Sequence, residues 1–461
     1  MLHPRYHLTL LLGLCLCLAA CGGNAAAPAD SGKPSAAPSA TQSSPSPAPA
    51  SSKPAASAPA SASAAPASAA ASKPQAPTSS APPVSPTSVA SPLVVSEAQM
   101  ANPTLKPVSV AGHSLNLLPG FTVTVVADGL KAPRFMAFDS AGNLAVAEDG
   151  ANRVDLLKAQ NGQLAAPQPL ITGLGDPTSV AFFQNFIYVA EAGQIARYQY
   201  QNGAASGRQV VIPNLPAATD HHTRTIIFGP DGLLYLAMGS PCNVCTIQDP
   251  RYATIGRYQP DGSGYALVAK GLRNAVGLAF QPSTNQLWAT VNGRDNLGDN
   301  IPWDLLTSIR QGADYGWPRC YDDRQKDPQF GTAAGCGDIA LPDVGLQAHS
   351  APLGLSFYTG SQFPAEYKGD IFVALHGSWN RSVPTGYNLV RAHFDGGRVA
   401  SVTDFATGWG PGGSGRVIQT PGGLGTSGAW GRPVQPIPGP DGSLYVSDDY
   451  FGAVYKISYS G

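Results

Sequence analysis

Two imidazoles and a guanidinium fall within five residues in Asp220-His221-His222-Thr223-Arg224, and further arginines stand at 134, 273, 294 and 432. A neutral imidazole takes up a proton readily near pH 7. A guanidinium is planar and always charged, and it grips a carboxylate through two parallel hydrogen bonds. Gathered in one place, these arginines would repel one another unless an anion or nearby carboxylates neutralised them. The set therefore implies a bound anionic ligand. A single Arg at a strand end is more often a salt-bridge partner than a ligand contact, and one of two adjacent histidines can point inward and serve only packing. Equivalent placement in a repeat is what would give these residues a common role.

Such a repeat exists. One hairpin pattern occurs six times: Pro133 to Phe138 returning as Leu144 to Glu148, Pro177 to Phe183 returning as Phe186 to Glu191, and His222 to Phe228 returning as Leu233 to Met238. The fourth begins at Asn274 and returns as Gln286 to Val291, the fifth begins at Pro352 and returns as Asp370 to Leu375, and the sixth begins at Arg432 and returns as Ser443 to Ser447. The starts lie 44, 45, 52, 78 and 80 residues apart, near the roughly 40 to 50 residues of a four-stranded propeller blade. The fold class is all-β, a six-bladed β-propeller over 104–461. Phe121 to Val126 is placed to complete the blade ending in Ala453 to Ile457 and so close the ring.

In a hairpin, the beginning of the first strand and the end of the second share one end of the blade. The beginnings carry Arg134, Thr178, His221, His222, Arg224, Arg273, Asn274, His349 and Arg432; the ends carry Glu148, Asp149, Glu191, Ser240, Gly293, Arg294, His376, Asp448 and Asp449. One mouth of the central channel is thus predicted to collect nearly all the chemistry, with the turn residues Asp231 and Asp441 at the other.

Ahead of the propeller, Arg5 precedes the apolar run Leu8 to Leu18 and then Ala19, Ala20 and Cys21, which reads as a secretory signal over 1–20. The run is too short to span a membrane comfortably. Leu18-Ala19-Ala20-Cys21 resembles a bacterial lipobox, which makes Cys21 the expected acylated N-terminus and a lipid anchor the only membrane attachment. Gly22 in place of Asp favours, by resemblance to Gram-negative lipoproteins, the outer membrane of the cell envelope. Residues 21–103 are almost wholly Ala, Pro and Ser, too poor in apolar surface to offset ordering entropy, and read as a disordered stalk reaching about 50 Å. A net charge of -1 gives no field that would favour nucleic acid.

Of seven cysteines, Cys15 and Cys17 leave with the signal and Cys21 is the acylation site. The remaining four suit disulfides in an oxidising compartment, and proximity favours Cys242 with Cys245 and Cys320 with Cys336. Thr246 stands where a haem attachment motif needs His, and no second ligand pair completes a zinc site.

The motifs Asp220-His221-His222-Thr223-Arg224, Gly271-Leu272-Arg273-Asn274, Asn292-Gly293-Arg294-Asp295, Tyr315-Gly316-Trp317-Pro318, His376-Gly377-Ser378-Trp379-Asn380-Arg381 and Gly431-Arg432-Pro433-Val434 occur in this order. In this the chain resembles the pyrroloquinoline quinone (PQQ)-dependent soluble glucose, sorbosone and pyranose dehydrogenases, over essentially the whole propeller. The resemblance implies oxidation of a sugar by hydride transfer to a calcium-bound quinone. It makes His221 the general base and Arg273 the cation that stabilises charge on the quinone oxygen, with Asn274 as a cofactor contact. Arg432 and Arg381, with Arg134 and Arg224 beside them, become candidates for the cofactor carboxylates. The backbone carbonyls of Gly293 and Arg294 become calcium ligands. A cytochrome or quinone is the implied electron acceptor.

Two departures bear on substrate. Ser240 stands where soluble glucose dehydrogenases place Asp, and Val276 where they place Gln, so the resemblance does not single out glucose and the expectation is a sugar or related polyol, unspecified. Two alternatives stay open. A lactonase-like propeller could hold calcium through Glu148, Glu191 and Asp449, although the arginine excess would have no task there. A non-catalytic binding propeller is the other, because fold alone never implies chemistry.

Overall fold

The computed structural model describes residues 91–94, 103–216, 220–410 and 428–461. The signal segment 1–20, Cys21 and most of the 21–103 stalk lie outside the described residues. Among the described residues the helical segments are two single 3-10 turns, Asp149–Ala151 and Ala365–Tyr367; the rest of the regular structure is β.

Six sheets form the blades. Blade 1 runs outward from the axis through Pro133–Phe138, Leu144–Glu148, Arg153–Leu157 and Gln168–Thr172, and blade 2 through Pro177–Phe183, Phe186–Glu191, Gln194–Gln201 and Ala204–Ile212. Blade 3 comprises Arg224–Phe228, Leu234–Met238, Thr254–Tyr258 and Ala266–Lys270; blade 4 comprises Asn274–Phe280, Leu287–Asn292, Asp304–Ser308 and Val344–Leu346. Blade 5 comprises Pro352–Phe357, Ile371–Leu375, Asn388–Asp395 and Arg398–Thr407. Blade 6 combines Pro433–Pro438, Leu444–Asp448 and Ala453–Tyr459 with the early strand Phe121–Ala127. Tyr455 pairs with Val125 and Tyr459 with Phe121, which is the ring closure expected from the sequence. The innermost strands touch in succession from blade 1 round to blade 6 and back.

The second strand of each blade is sandwiched between neighbouring sheets, and this explains its unbroken apolar run. Leu144–Glu148, Leu234–Met238, Ile371–Leu375 and Leu444–Asp448 are buried at every residue, each large aliphatic contributing about 1.5–3 kcal/mol. Phe121–Ala127, on an outer edge, alternates between buried and exposed over its first residues, as a strand with one wet face should. The turn Gly229-Pro230-Asp231-Gly232 is repeated as Gly439-Pro440-Asp441-Gly442. In both, the Asp carboxylate accepts from the backbone N–H two residues on and from a Tyr hydroxyl, Tyr235 at 2.9 Å and Tyr445 at 3.2 Å. The fourth residue of each turn has positive φ, +76° and +81°, where only glycine is unstrained.

Five of the six innermost strands carry a register shift near their first residues, at Pro133/Met136, Pro177/Ser179, Ala275/Leu278, Pro352/Leu355 and Pro433/Gln435. A bulge re-aims the side chains it contains. Four of those, Phe135, Val276, Leu353 and Val434, meet as a buried apolar cluster. Val276 and Leu353 also line a cavity of about 580 Å³, and Phe135 lines another of about 230 Å³ bordered by Phe138, Phe182 and Phe228. Gly277 shows how tight this region is: a Cβ there would lie 2.3 Å from the Leu353 carbonyl oxygen.

The blades also recruit N-terminal chain. His113–Leu117 pairs with the outer strand of blade 5 and Lys106–Val110 pairs with it in turn. Leu93–Val94 pairs in parallel with Val344–Gly345 on blade 4. This short strand falls within the segment read from composition as stalk; Leu93-Val94-Val95 is a local apolar exception to the Ala/Pro/Ser pattern.

Candidate active site

The large cavity collects the predicted chemistry at one end of the blades. Its walls include Arg134, His221, Arg273, Asn274, Gly293, His349, His376 and Arg432, together with Trp379 and Asn380. His221 lies just before blade 3. Its Nδ1 is 2.7 Å from the carbonyl oxygen of Ser240 and 3.2 Å from the Ser240 hydroxyl. A carbonyl only accepts, so Nδ1 carries the proton and Nε2 presents its lone pair. Burial, and Arg273 close by, push the imidazole down to about 4, so it is neutral near pH 7. The space for this ring depends on Gly239, where a Cβ would come within 2.6 Å of His221 Cβ and 2.5 Å of Asn274 Oδ1.

Arg273 is nearly fully buried and held from three sides. Its Nε donates to the Asn243 carbonyl at 2.9 Å, Nη1 to the Gly293 carbonyl at 2.6 Å, and Nη2 to Asn243 Oδ1 at 3.0 Å and Asp295 Oδ2 at 2.7 Å. These use four of its five N–H groups, so one on Nη1 remains for a ligand. Burial pushes its pKa down, opposed by Asp295 and Asp304. The Cys242–Cys245 disulfide encloses Asn243 and follows Ser240, so one loop carries the contacts that orient both the base and the guanidinium. Cys320–Cys336 is the other bridge, and both are the pairs expected from proximity.

Asp304 fixes the far wall: it accepts from the Gly293 N–H at 2.9 Å and the Ala351 N–H at 2.8 Å, joining blades 4 and 5. Burial pushes its carboxyl up to about 6. On the other side, Arg134 Nη1 donates to Asp449 Oδ2 at 2.6 Å, and Asp449 Oδ1 is 2.8 Å from His376 Nε2. Burial opposes ionisation of Asp449, but His376 and Arg134 hold its carboxyl well below the usual range. Arg134 Nε is buried without a partner. Arg432 donates only to backbone, from Nε to His376 at 3.0 Å and from Nη2 to Gly377 at 2.6 Å, which leaves Nη1 without a protein partner among the described residues. Asn274 Oδ1 is likewise buried and unpartnered. Two arginines with unspent donors in one cavity match a planar polycarboxylate.

The structure does not bring every predicted residue here. Arg224 is fully buried and its guanidinium donates to the backbone carbonyls of Pro216, His221 and Thr223. It braces the segment carrying the base instead of meeting a cofactor. Arg381 points away from the cavity to the carbonyls of Asp299, Ala348 and Val383. The Arg294 side chain pairs with Asp327, behind the cavity wall. Glu148 is bound to Arg153 and the Lys131 N–H, and Glu191 to Arg208 and the Gly175 N–H, so neither offers the cavity a carboxylate. Sequence reasoning missed the orienting roles of Asn243, Asp295, Asp304 and Asp449. Asp295 adjoins Gly293-Arg294 and Asn243 lies inside the Cys-x-x-Cys spacing, and these were the available signals.

A family model described as TrAA12-like matches residues 115–460. The chain belongs to the TrAA12-like family. Among curated relatives, a PQQ-dependent pyranose dehydrogenase of Coprinopsis cinerea is 28% identical over 408 residues, 75% of this chain and 54% of the relative. A PQQ-dependent sugar dehydrogenase of Hypocrea jecorina is 26% identical over 272 residues, 50% of this chain and 60% of the relative. The chain spans about half the length of the curated relatives it matches. Among solved structures, the holo form of the C. cinerea pyranose dehydrogenase PQQ domain superposes with a TM-score of 0.64 at 22% identity, covering 76% of this chain and all of that one. A calcium structure of a Trichoderma reesei family AA12 protein gives 0.62 at 23%, covering 77% and 99%. These likenesses fix the TrAA12-like propeller fold.

Proposed function

We propose that this TrAA12-like protein oxidises a sugar with bound PQQ as the immediate electron acceptor. The observation that carries the proposal is the neutral His221, tied through Nδ1 to Ser240 so that Nε2 is the basic atom, in one cavity with Arg273. Bound PQQ would supply an electron-poor quinone carbonyl carbon that accepts a hydride. Nε2 of His221 takes the proton of the substrate hydroxyl, while the hydrogen on the same carbon leaves with its electron pair. The remaining Nη1 N–H of Arg273 would be the donor for an oxygen gaining negative charge, and its fixed position would make this stabilisation available without reorganisation. Arg134 and Arg432 would hold carboxylates of the cofactor, with Asn274 beside them in the cavity wall. The apolar floor of Val276 and Leu353 sets no hydrogen bond against a substrate.

Calcium enters on narrower grounds. Among the described residues no three His, Cys, Asp or Glu side chains gather to hold a metal, and the Gly293 carbonyl already accepts from Arg273. A carbonyl has a second lone pair, so calcium at the Gly293 and Arg294 carbonyls needs the anionic cofactor to complete its shell. In this reading the N-terminal segment exports the chain, Cys21 anchors it to the envelope, and electrons pass on to a cytochrome or quinone.

Titrating the apo-protein with PQQ, with and without calcium, and then adding aldoses with a dye acceptor tests the proposal. Stoichiometric binding followed by sugar-dependent dye reduction is expected, with binding kept and reduction lost in His221→Ala. Failure of PQQ to bind under either condition would overturn it.

A further inference from the structure

The large cavity holds a second imidazole whose tautomer is fixed. His376 stands just past the end of Ile371–Leu375, its backbone N–H donating to the Ala351 carbonyl at 2.9 Å and its carbonyl receiving Arg432 Nε at 3.0 Å. Its ring Nε2 lies 2.8 Å from Asp449 Oδ1. Arg134 on the other oxygen helps to keep Asp449 ionised. An ionised carboxylate only accepts, so Nε2 carries the proton and Nδ1 has the lone pair. Nδ1 makes no hydrogen bond among the described residues, and unlike Arg134 Nε it is not sealed off: the side chain is 15% exposed and lines the cavity.

The other imidazoles of the cavity wall lack this support. Nδ1 of His221 and Nε2 of His349 donate to backbone carbonyls, at 2.7 and 2.8 Å, which carry no charge. His222 reaches Asp149 at 3.1 Å, but its ring is half-exposed, where water weakens the pair. His376 has a mostly buried carboxylate behind it and a guanidinium behind that, an order that steadies a ring while it is charged. Burial holds the resting ring neutral; Asp449 opposes this and Arg432 adds to it. A bound polycarboxylate would offset Arg432 and leave the pull of Asp449, so filling the cavity makes this ring more basic.

Oxidising an alcohol carbon to a carbonyl releases two electrons and two protons. Nε2 of His221 accounts for the hydroxyl proton. The hydrogen lost from carbon carries both electrons, and when these pass to a one-electron acceptor such as a cytochrome, its proton stays behind in the cavity. Building on the sugar-oxidation reading above, we infer that Nδ1 of His376 takes this second proton, with Asp449 and Arg134 holding the charged ring until Nδ1 returns the proton to solvent.

Two readouts test this. Calorimetric PQQ titrations at about pH 6.5, in buffers of different ionisation enthalpy, count the protons taken up on binding; wild type should take up roughly half a proton more than His376→Gln. In the loaded protein, His376→Ala should keep the first turnover, followed without any acceptor, within about threefold of wild type. Its steady-state kcat with ferricyanide, which takes electrons only, should fall roughly tenfold or more. Added imidazole should restore that rate, as it would not for a ring that only braces Asp449. Equal proton uptake in His376→Gln, or a ferricyanide rate in His376→Ala equal to that of wild type, would overturn the second acceptor and leave the dehydrogenase reading standing. If PQQ does not bind, or the loaded wild type oxidises no sugar, the dehydrogenase reading falls and takes this one with it.

Discussion

The Nδ1 of His221 and the carbonyl oxygen of Ser240 lie 2.7 Å apart, and this one contact sets which nitrogen of the ring is basic. Ser240 occupies a position read from the sequence as bearing on substrate. In the structure its carbonyl orients the base and its hydroxyl donates to the Cys242 carbonyl at 2.6 Å.

The depressed pKa of His221 has a consequence for stability. The unfolded chain gains a proton on this ring near pH 6.5 and the folded protein only near 4. Folding stability therefore falls as pH drops from about 6.5 through 4, where the unfolded state binds more protons. Thermal unfolding of wild type and His221→Gln across this range should show a smaller loss in the variant. Equal slopes would mean that the ring is already protonated at pH 6.

Gly239→Ala should abolish turnover while leaving a folded protein, because the added methyl collides with His221 Cβ and Asn274 Oδ1. Gly193→Ala, where a Cβ meets nothing within 4 Å, serves as the control and should behave as wild type. The comparison needs only dye-reduction rates and circular dichroism. Full activity in Gly239→Ala would show that the base tolerates displacement.

The two disulfides should separate stability from activity. Closing the four-residue Cys242–Cys245 loop contributes about 2 kcal/mol by chain entropy, and the longer Cys320–Cys336 loop about 3 kcal/mol. Yet the shorter loop holds Arg273 through Asn243, and its Cys242 carbonyl anchors the Ser240 that orients His221. Replacing Cys242 and Cys245 by Ser should lower kcat at least tenfold with a small drop in Tm. The other pair of replacements should lower Tm more and kcat less. Chemical denaturation and steady-state kinetics on both variants check the crossing.

The arginines should sort into two groups. Arg134→Ala and Arg432→Ala should each weaken PQQ binding roughly tenfold or more, with a loss of stability besides, because the first leaves Asp449 without its arginine and the second strands two backbone carbonyls. Arg224→Ala strands three backbone carbonyls and should cost about 3 kcal/mol or more of stability. A calorimetric PQQ titration beside urea melts tells the groups apart.

The propeller could be read from the chain because its inner hairpins are punctuated locally: Gly-Pro-Asp-Gly turns and unbroken apolar return strands need no distant information. Pro133–Phe138, Leu144–Glu148, Pro177–Phe183 and Phe186–Glu191 match the sequence reading residue for residue. Which arginines enter the cavity could not be read this way. Arg134 and Arg224 occupy similar places in their hairpins, but blade 1 has a bulge there and blade 3 pairs regularly from Arg224 onward. The same residue type thus lines the cavity in one blade and turns toward backbone in the other. The orienting roles of Asp295 and Asp449 escaped for a related reason: an acid matters here through the partner it finds across the ring, and that partner is up to 315 positions away in sequence.

The strand Phe121–Ala127 and the C-terminal strand Ala453–Tyr459 are edge partners in one sheet. A chain emerging N-terminus first must therefore keep its first blade strand unpaired until the last one has appeared, a long wait for an exposed edge prone to wrong pairing. The Arg134–Asp449 ion pair spans the same seam. Assembly thus has a fixed order of events: the cavity wall held by Arg134 and Asp449 is complete only after the ends of the domain have met, so under the proposed function cofactor capture would be the final step of maturation.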